Sequence, residues 1–197
     1  MKKYIHIIFI FFIFSNITLK ADNIRDFQIE DISIGDSLFD HLSAEKIDTG
    51  HKFNYPSSKK FFQLNFSNLK SFKTYQHLTV LLKLNDKDLT IYEFSGYIDY
   101  EKNINECYNQ EKQVVKDIKK ILTNVKFENF GKQNKSIDKS GKSKITITQF
   151  YPKDGGIIKV SCHDWSSEWE KKGEIDSLSV SVASEEAFDW FTNEAYK

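Results

Sequence analysis

Residues 175–184, IDSLSVSVAS, alternate two classes of side chain without a break: Leu178, Val180 and Val182 on one parity, Ser177, Ser179 and Ser181 on the other. A period of two belongs to a β-strand, and serines opposite aliphatics predict a sheet with one packed and one wet face. Ile158, Val160 and Cys162 alternate in the same way within residues 156–163, GIIKVSCH. Further β-rich stretches are predicted at residues 59–66, 77–84, 89–100 and 145–151. Asn85-Asp86-Lys87-Asp88 joins two of them as a hairpin, and Pro152-Lys153-Asp154-Gly155-Gly156 turns another pair.

Between residues 104 and 125 the period changes. Cys107, Val114, Ile118, Ile121, Leu122 and Val125 fall on one helical stripe. Asn103, with Glu106 three residues on, has the form of a capping-box start. Ser184 caps a last helix, with Glu185 and Glu186 in its first turn and Ala187, Phe188, Phe191 and Ala195 as its buried stripe. Near the start, Asp36 or Ser37 caps a short helix bearing Leu38, Phe39 and Leu42, and Ser43 caps another through Ile47. Residues 129–144, NFGKQNKSIDKSGKSK, are polar, glycine-punctuated and lysine-rich, which predicts an exposed loop. Hairpins followed by helices, without regular β–α alternation, give the expected class: α+β, a single antiparallel sheet with a long helix packed on it, short N-terminal helices and a C-terminal helix. No internal repeat or long polar linker divides residues 22–197, so they are expected to form one domain.

The first residues change the picture from fold to compartment. Lys2 and Lys3 precede an apolar run from Ile7 to Phe14, and Leu19-Lys20-Ala21 ends the following stretch. Residues 1–21 thus read as a secretory signal peptide, since the run is about half of the roughly 20 residues a membrane span requires. The residue directly after Ala21 is Asp22 and not a cysteine, so a lipid anchor there is not expected. Removing this segment takes three basic and no acidic residues from a chain with 28 of each, leaving 25 against 28, a net charge of −3. Nucleic-acid binders concentrate basic charge, so that class of partner is not expected. Arg25 stands against 27 lysines, and Asn, Ile and Phe are abundant, a bias expected of an AT-rich genome.

Two cysteines, Cys107 and Cys162, occupy the core-facing sides of the long helix and of a strand. In an exported protein an even count predicts a disulfide. Neither cysteine stands in a C-x-x-C pair or behind a helix start, so a structural role is preferred to a redox one.

Gly35-Asp36-Ser37-Leu38 resembles the nucleophile block of the GDSL esterases and lipases. That resemblance implies a serine nucleophile, but its remaining blocks are missing: no Gly-x-Asn occurs, and Asp48-Thr49-Gly50-His51 lies too early to supply the base. The simpler reading is a glycine turn followed by a polar cap. Gly141-Lys142-Ser143 has the letters of a phosphate-binding loop end, but Ser136 replaces the first glycine and a strand follows. His163-Asp164 point to opposite faces of a strand and cannot readily pair with each other, and His41, His51 and His77 are scattered without metal spacing. Trp165 and Trp169, beside His163, form a candidate ligand surface, the alternative being that they fold over the end of the sheet. Lys132, Lys135, Lys139, Lys142 and Lys144 form a candidate contact for anionic lipid or polysaccharide, the alternative being a solvated run.

The stretches IxIGDSLFDHLS, GYIDYEKNINEC, DKSGKSK and KVSCHDWSS resemble a family of small exported proteins from AT-rich marine bacteria. That likeness implies export and a paired cysteine couple. The Gly-x-Ser/Thr helix opening is also similar to that of small periplasmic assembly-lipoprotein and β-lactamase-inhibitor-like modules. The expectation is a non-enzymatic periplasmic or secreted binding module, without metal or cofactor and without a stable membrane anchor, meeting an envelope or extracellular partner. A hydrolase using Ser37 is the alternative.

Overall fold

A computed structural model describes residues 23–56, 59–69, 72–101, 103–122 and 124–197. The expected signal peptide lies outside them. Eight strands form one antiparallel sheet: β1 (His51–Asn54), β2 (Phe61–Ser67), β3 (His77–Lys83), β4 (Ile91–Asp99), β5 (Lys126–Asn134), β6 (Lys144–Tyr151), β7 (Ile157–Asp164) and β8 (Ser177–Ala183). Their order is β1-β2-β3-β4-β8-β7-β6-β5. Two four-stranded meanders therefore meet at the central β4–β8 pair, and a helical crossover takes the chain from the middle of the sheet to its far edge.

That crossover is α2 (Ile104–Ile121), which lies on β7 and β8. Cys107, Ile118 and Leu122 are buried on its inner side, Val114 and Val115 pack partly, and Ile121 turns outward. Asn103 Nδ2 donates to Glu106 Oε1 (2.7 Å), a side-chain pair in place of the expected backbone cap. The residues of the apolar parity (Leu64, Val80, Phe94, Val180, Val160 and their neighbours) form the main core with α2 and with Ile24 to Ile47 of the N-terminal segment. Ile24 N–H donates to both oxygens of Asp154, which anchors that segment on the β6–β7 turn. Gly156 lets the turn close: its φ is +77°, and a Cβ there would lie 2.4 Å from the Ala183 carbonyl oxygen. The disulfide Cys107–Cys162 (Cα–Cα 6.0 Å) pins α2 to β7.

Two short helices, α1 (Ala44–Asp48) and α3 (Ser167–Glu170), precede β1 and follow β7, and α4 (Glu185–Asn193) ends the fold. Ser184 Oγ accepts from Ala187 N–H at the start of α4, as its sequence predicts. α4 contacts β4 and β8, but its deepest anchor is Trp190, 1 % exposed, packed on Phe61 and Tyr55. Phe188 and Phe191 remain half-buried beside it.

Two expectations are corrected. Residues 129–144 are not one loop: β5 runs through Asn134 and pairs with β6, with a register shift between Asn129 and Gly131. Both faces of β5 are largely exposed, so it has no alternation to reveal it. The serine parity of β8 is not wet either. Ser179 is 1 % exposed and Ser177 8 %, because α4 and the segments around Lys135 and Trp165 stand over that face.

Candidate functional site

The polar parity continues across the sheet. Asn65, Thr79, Ser95, Ser181, Lys159 and Gln149 are successive register partners from β2 to β6. Polar side chains facing one another across six strands leave a face that packing alone cannot fill, and two adjacent cavities lie over it. The inner one, about 430 Å³, is walled by Tyr55, Phe188, Phe191 and Tyr196 and floored by Glu93, Ser95, Ser181 and Lys159. The outer one, about 440 Å³, is bounded by Ser67, His77, Asp99, Lys135, Trp165 and Glu174. Thr79, Tyr97 and His163 line both. Cavities of a few hundred Å³ with apolar walls and a few fixed polar groups are the usual form of a small-molecule site.

The charges on this floor are perturbed by enclosure. Glu93 is buried and accepts from Ser95 Oγ; burial pushes its carboxyl up to about 7, against the opposing pull of the Ser95 bond and Lys159. Ser181 Oγ follows at 2.7 Å from Ser95 Oγ. Lys159 is held below the ordinary lysine range by burial, opposed by Glu93. Its remaining exposed surface opens on the inner cavity, and among the described residues it makes no hydrogen bond or ion pair. An enclosed ammonium with no bonded partner lowers stability, so its retention needs an explanation. The Tyr97 hydroxyl, also enclosed, is pushed up to about 12 by burial.

His163 links the two cavities. Lys135 Nζ lies 2.6 Å from its Nδ1, and Ser179 Oγ lies 3.1 Å from its Nε2. Burial first, then Lys135 and Lys159, depress the ring to about 3, so it is neutral. An ammonium only donates, which leaves Nε2 with the proton and makes Ser179 an acceptor. That polarity denies Ser179 a base.

Ser67, His77 and Asp99 have the opposite polarity. His77 Nε2 is 2.8 Å from Asp99 Oδ2, and its Nδ1 is 3.0 Å from Ser67 Oγ. The carboxylate holds the proton on Nε2 and leaves Nδ1 to accept from the serine, which is the order that nucleophilic catalysis requires. Ser67 and His77 are direct register partners on β2 and β3, and Asp99 ends β4.

The predicted site residues separate. His163, Trp165 and Lys135 meet at the outer cavity. Trp169 stacks on Trp165 with ring centroids 5.5 Å apart. Lys135 Nζ sits 3.4 Å above the Trp165 ring and Lys172 Nζ 4.3 Å above Trp169. Both tryptophans are half-buried in this ladder. The five lysines do not form one patch. Lys135 is buried, Lys132 pairs with Asp164 Oδ2 (2.9 Å) over the Tyr108 ring, and Lys144 donates to Asn134 Oδ1 and the Gly141 carbonyl. Lys139 and Lys142 are exposed. His163 and Asp164 take separate partners, as their adjacent positions on a strand dictate.

Asp138 folds the loop that delivers Lys135. Its carboxylate accepts from the backbone N–H and hydroxyl of both Ser140 and Ser143, and from Ser166 Oγ. These bonds hold it far below the usual carboxylate range. Ser37 is a cap: its hydroxyl donates to the Asp88 carbonyl (2.6 Å) and accepts from Phe39 N–H. His41 pairs with Asp36 (2.9 Å) and not with Ser37.

Sequence reasoning missed Glu93, Lys159, Ser95, Tyr97 and the Ser67–His77–Asp99 group. Their common signal was parity: each stands on the polar side of its strand, where Ser95, Tyr97, Asp99 and Lys159 are register partners of the β8 serines and Glu93 is the partner of Ala183. No group of three or more histidine, cysteine, aspartate or glutamate side chains suited to a metal ion occurs among the described residues. No protein-family model, curated protein or solved structure matches the chain.

Proposed function

We propose that the protein is an exported, non-enzymatic binding module that takes up a small molecule on the polar face of its sheet. One observation carries this reading: a row of polar side chains, among them an unpaired lysine, is roofed over yet left facing an open cavity. A face kept only for solubility would be exposed, and one kept only for stability would be apolar. Export is supported by the Lys2/Lys3 and Ile7–Phe14 pattern and by the disulfide, which persists in an oxidising compartment. Among the described residues no helix is long and apolar enough to cross a membrane. An envelope or extracellular setting would supply the ligand. Thr192→Trp on the exposed side of α4 would fill the inner cavity without entering the core. Native mass spectrometry after incubation with periplasmic extract should show a one-to-one small-molecule adduct that this variant loses. An adduct retained equally by the variant would contradict the reading.

A second reading, ester hydrolysis, rests on Ser67, His77 and Asp99 at the rim of the outer cavity. Turnover of a short-chain nitrophenyl ester, abolished by Ser67→Ala and untouched by Ser37→Ala, would establish it. No turnover above that of Ser67→Ala would dismiss it.

A further inference from the structure

The cavity reading leaves open what the ligand is, and Lys159 narrows it. Three groups that can carry positive charge surround the junction of the two cavities: Lys159, Lys135 and His163. Lys135 is already engaged by the His163 ring and the Trp165 face, and Glu174 and Asp176 stand near it. His163 is neutral, with both nitrogens bonded. Lys159 alone of the three has no bonded partner: the Glu93 carboxyl acts on it only through space, and the hydrogen bond Glu93 accepts comes from Ser95. Its ammonium is thus a donor with free valences inside an enclosure. Ser181 and Gln149, its register partners on either side, add a hydroxyl and a carboxamide at the same depth. The opposite wall is aromatic: Tyr55 packs edge-on against Trp190, Phe191 and Tyr196, and Phe188 joins it.

We propose that the inner cavity receives the acidic group of a small amphipathic molecule on Lys159, with its ring or hydrocarbon body lying against Tyr55, Phe188, Phe191 and Tyr196. This rests on the reading of the cavity as a ligand site. The shared chemistry is one anionic head, whether carboxylate, sulfonate or phosphate, on an apolar body. A free sugar offers no charge for Lys159, and a cation is repelled by it. A polyanionic chain would need a continuous basic track, which the separated lysines of residues 132–144 do not make.

Two dyes that share one body separate charge from fit: 1-anilinonaphthalene-8-sulfonate and its uncharged parent, N-phenyl-1-naphthylamine. The sulfonate should bind one-to-one and at least tenfold tighter than the neutral dye. Lys159→Met should bring the sulfonate down to the level of the neutral dye and leave the latter unchanged. Lys159→Gln, which keeps a polar end, should do the same. Equal affinity for the two dyes in the native protein, or a preference that survives both Lys159 variants, would overturn the anion assignment. Binding of neither dye, or binding of both that survives Thr192→Trp, would instead overturn the cavity reading beneath it.

Discussion

Lys135 Nζ stands 2.6 Å from Nδ1 of His163, so a lysine from the β5–β6 connection sets the tautomer of a histidine on β7. The consequence can be read by NMR. His163 should be a neutral ring with its proton on Nε2 from about pH 4 to pH 7, because burial and two lysines hold its pKa near 3. Long-range ¹⁵N–¹H correlation spectra distinguish the tautomers directly. A ring that titrates near 6.5, or carries its proton on Nδ1, would refute the arrangement.

Glu93 and His163 pull the pH dependence of stability in opposite directions. The folded Glu93 keeps its proton up to about 7, above its ordinary 4.5, so its stabilising contribution is full below pH 4.5 and lost as pH rises to 7. The folded His163 resists protonation down to about 3, below its ordinary 6.5, so its contribution is full above pH 6.5 and lost as pH falls toward 3. Between pH 4.5 and 6.5 the two slopes offset each other. Glu93→Gln removes one of them, so urea unfolding should find it more stable than the parent at pH 8, by on the order of 2–3 kcal/mol. The two proteins should converge at pH 4. A difference that does not change with pH would contradict this.

Reduction should cost more than the loss of a surface bridge. Cys107–Cys162 closes a separation of 55 residues and ties the crossover helix to the central strands. Chain entropy alone assigns such a loop about 4 kcal/mol. The double variant Cys107→Ser, Cys162→Ser also buries two hydroxyls at fully enclosed positions. Its denaturation midpoint should fall accordingly, whereas an unchanged midpoint would mean that α2 is held by packing alone.

The chain displayed its apolar half plainly and hid its polar half. Leu178, Val180 and Val182, the α2 stripe with Cys107 and Ile118, and the Ser184 cap were all legible, because periodicity records which side of an element is buried. Ile121, the last residue of α2, and Phe39, in the short helical turn after Ser37, broke the pattern by facing outward. β5 escaped because an edge strand exposed on both sides has no alternation to detect. The site escaped for a different reason. Alternating serines signal polarity, not exposure, and only the roof made by α4 and the Trp165 segment turns a polar face into a cavity floor. Ser67 and His77 meet through the β2–β3 register, and Asp99 joins them from β4, two residues beyond Tyr97, the β4 partner of His77. The GDSL letters were conspicuous and structural, while Glu93 and Lys159 lay unremarked in two ordinary strands.

A side chain kept for a ligand should be a burden when the ligand is gone. The unfolding free energy of Lys159→Met at pH 7, in protein stripped of small molecules by refolding, is therefore the most direct test. If Lys159 awaits an anion, the variant should be as stable as the parent or more so, because an unpaired enclosed ammonium has been exchanged for a thioether of similar length. A loss of about 2 kcal/mol or more, of the size expected when a buried structural interaction is broken, would show that Lys159 supports the fold and contradict the account.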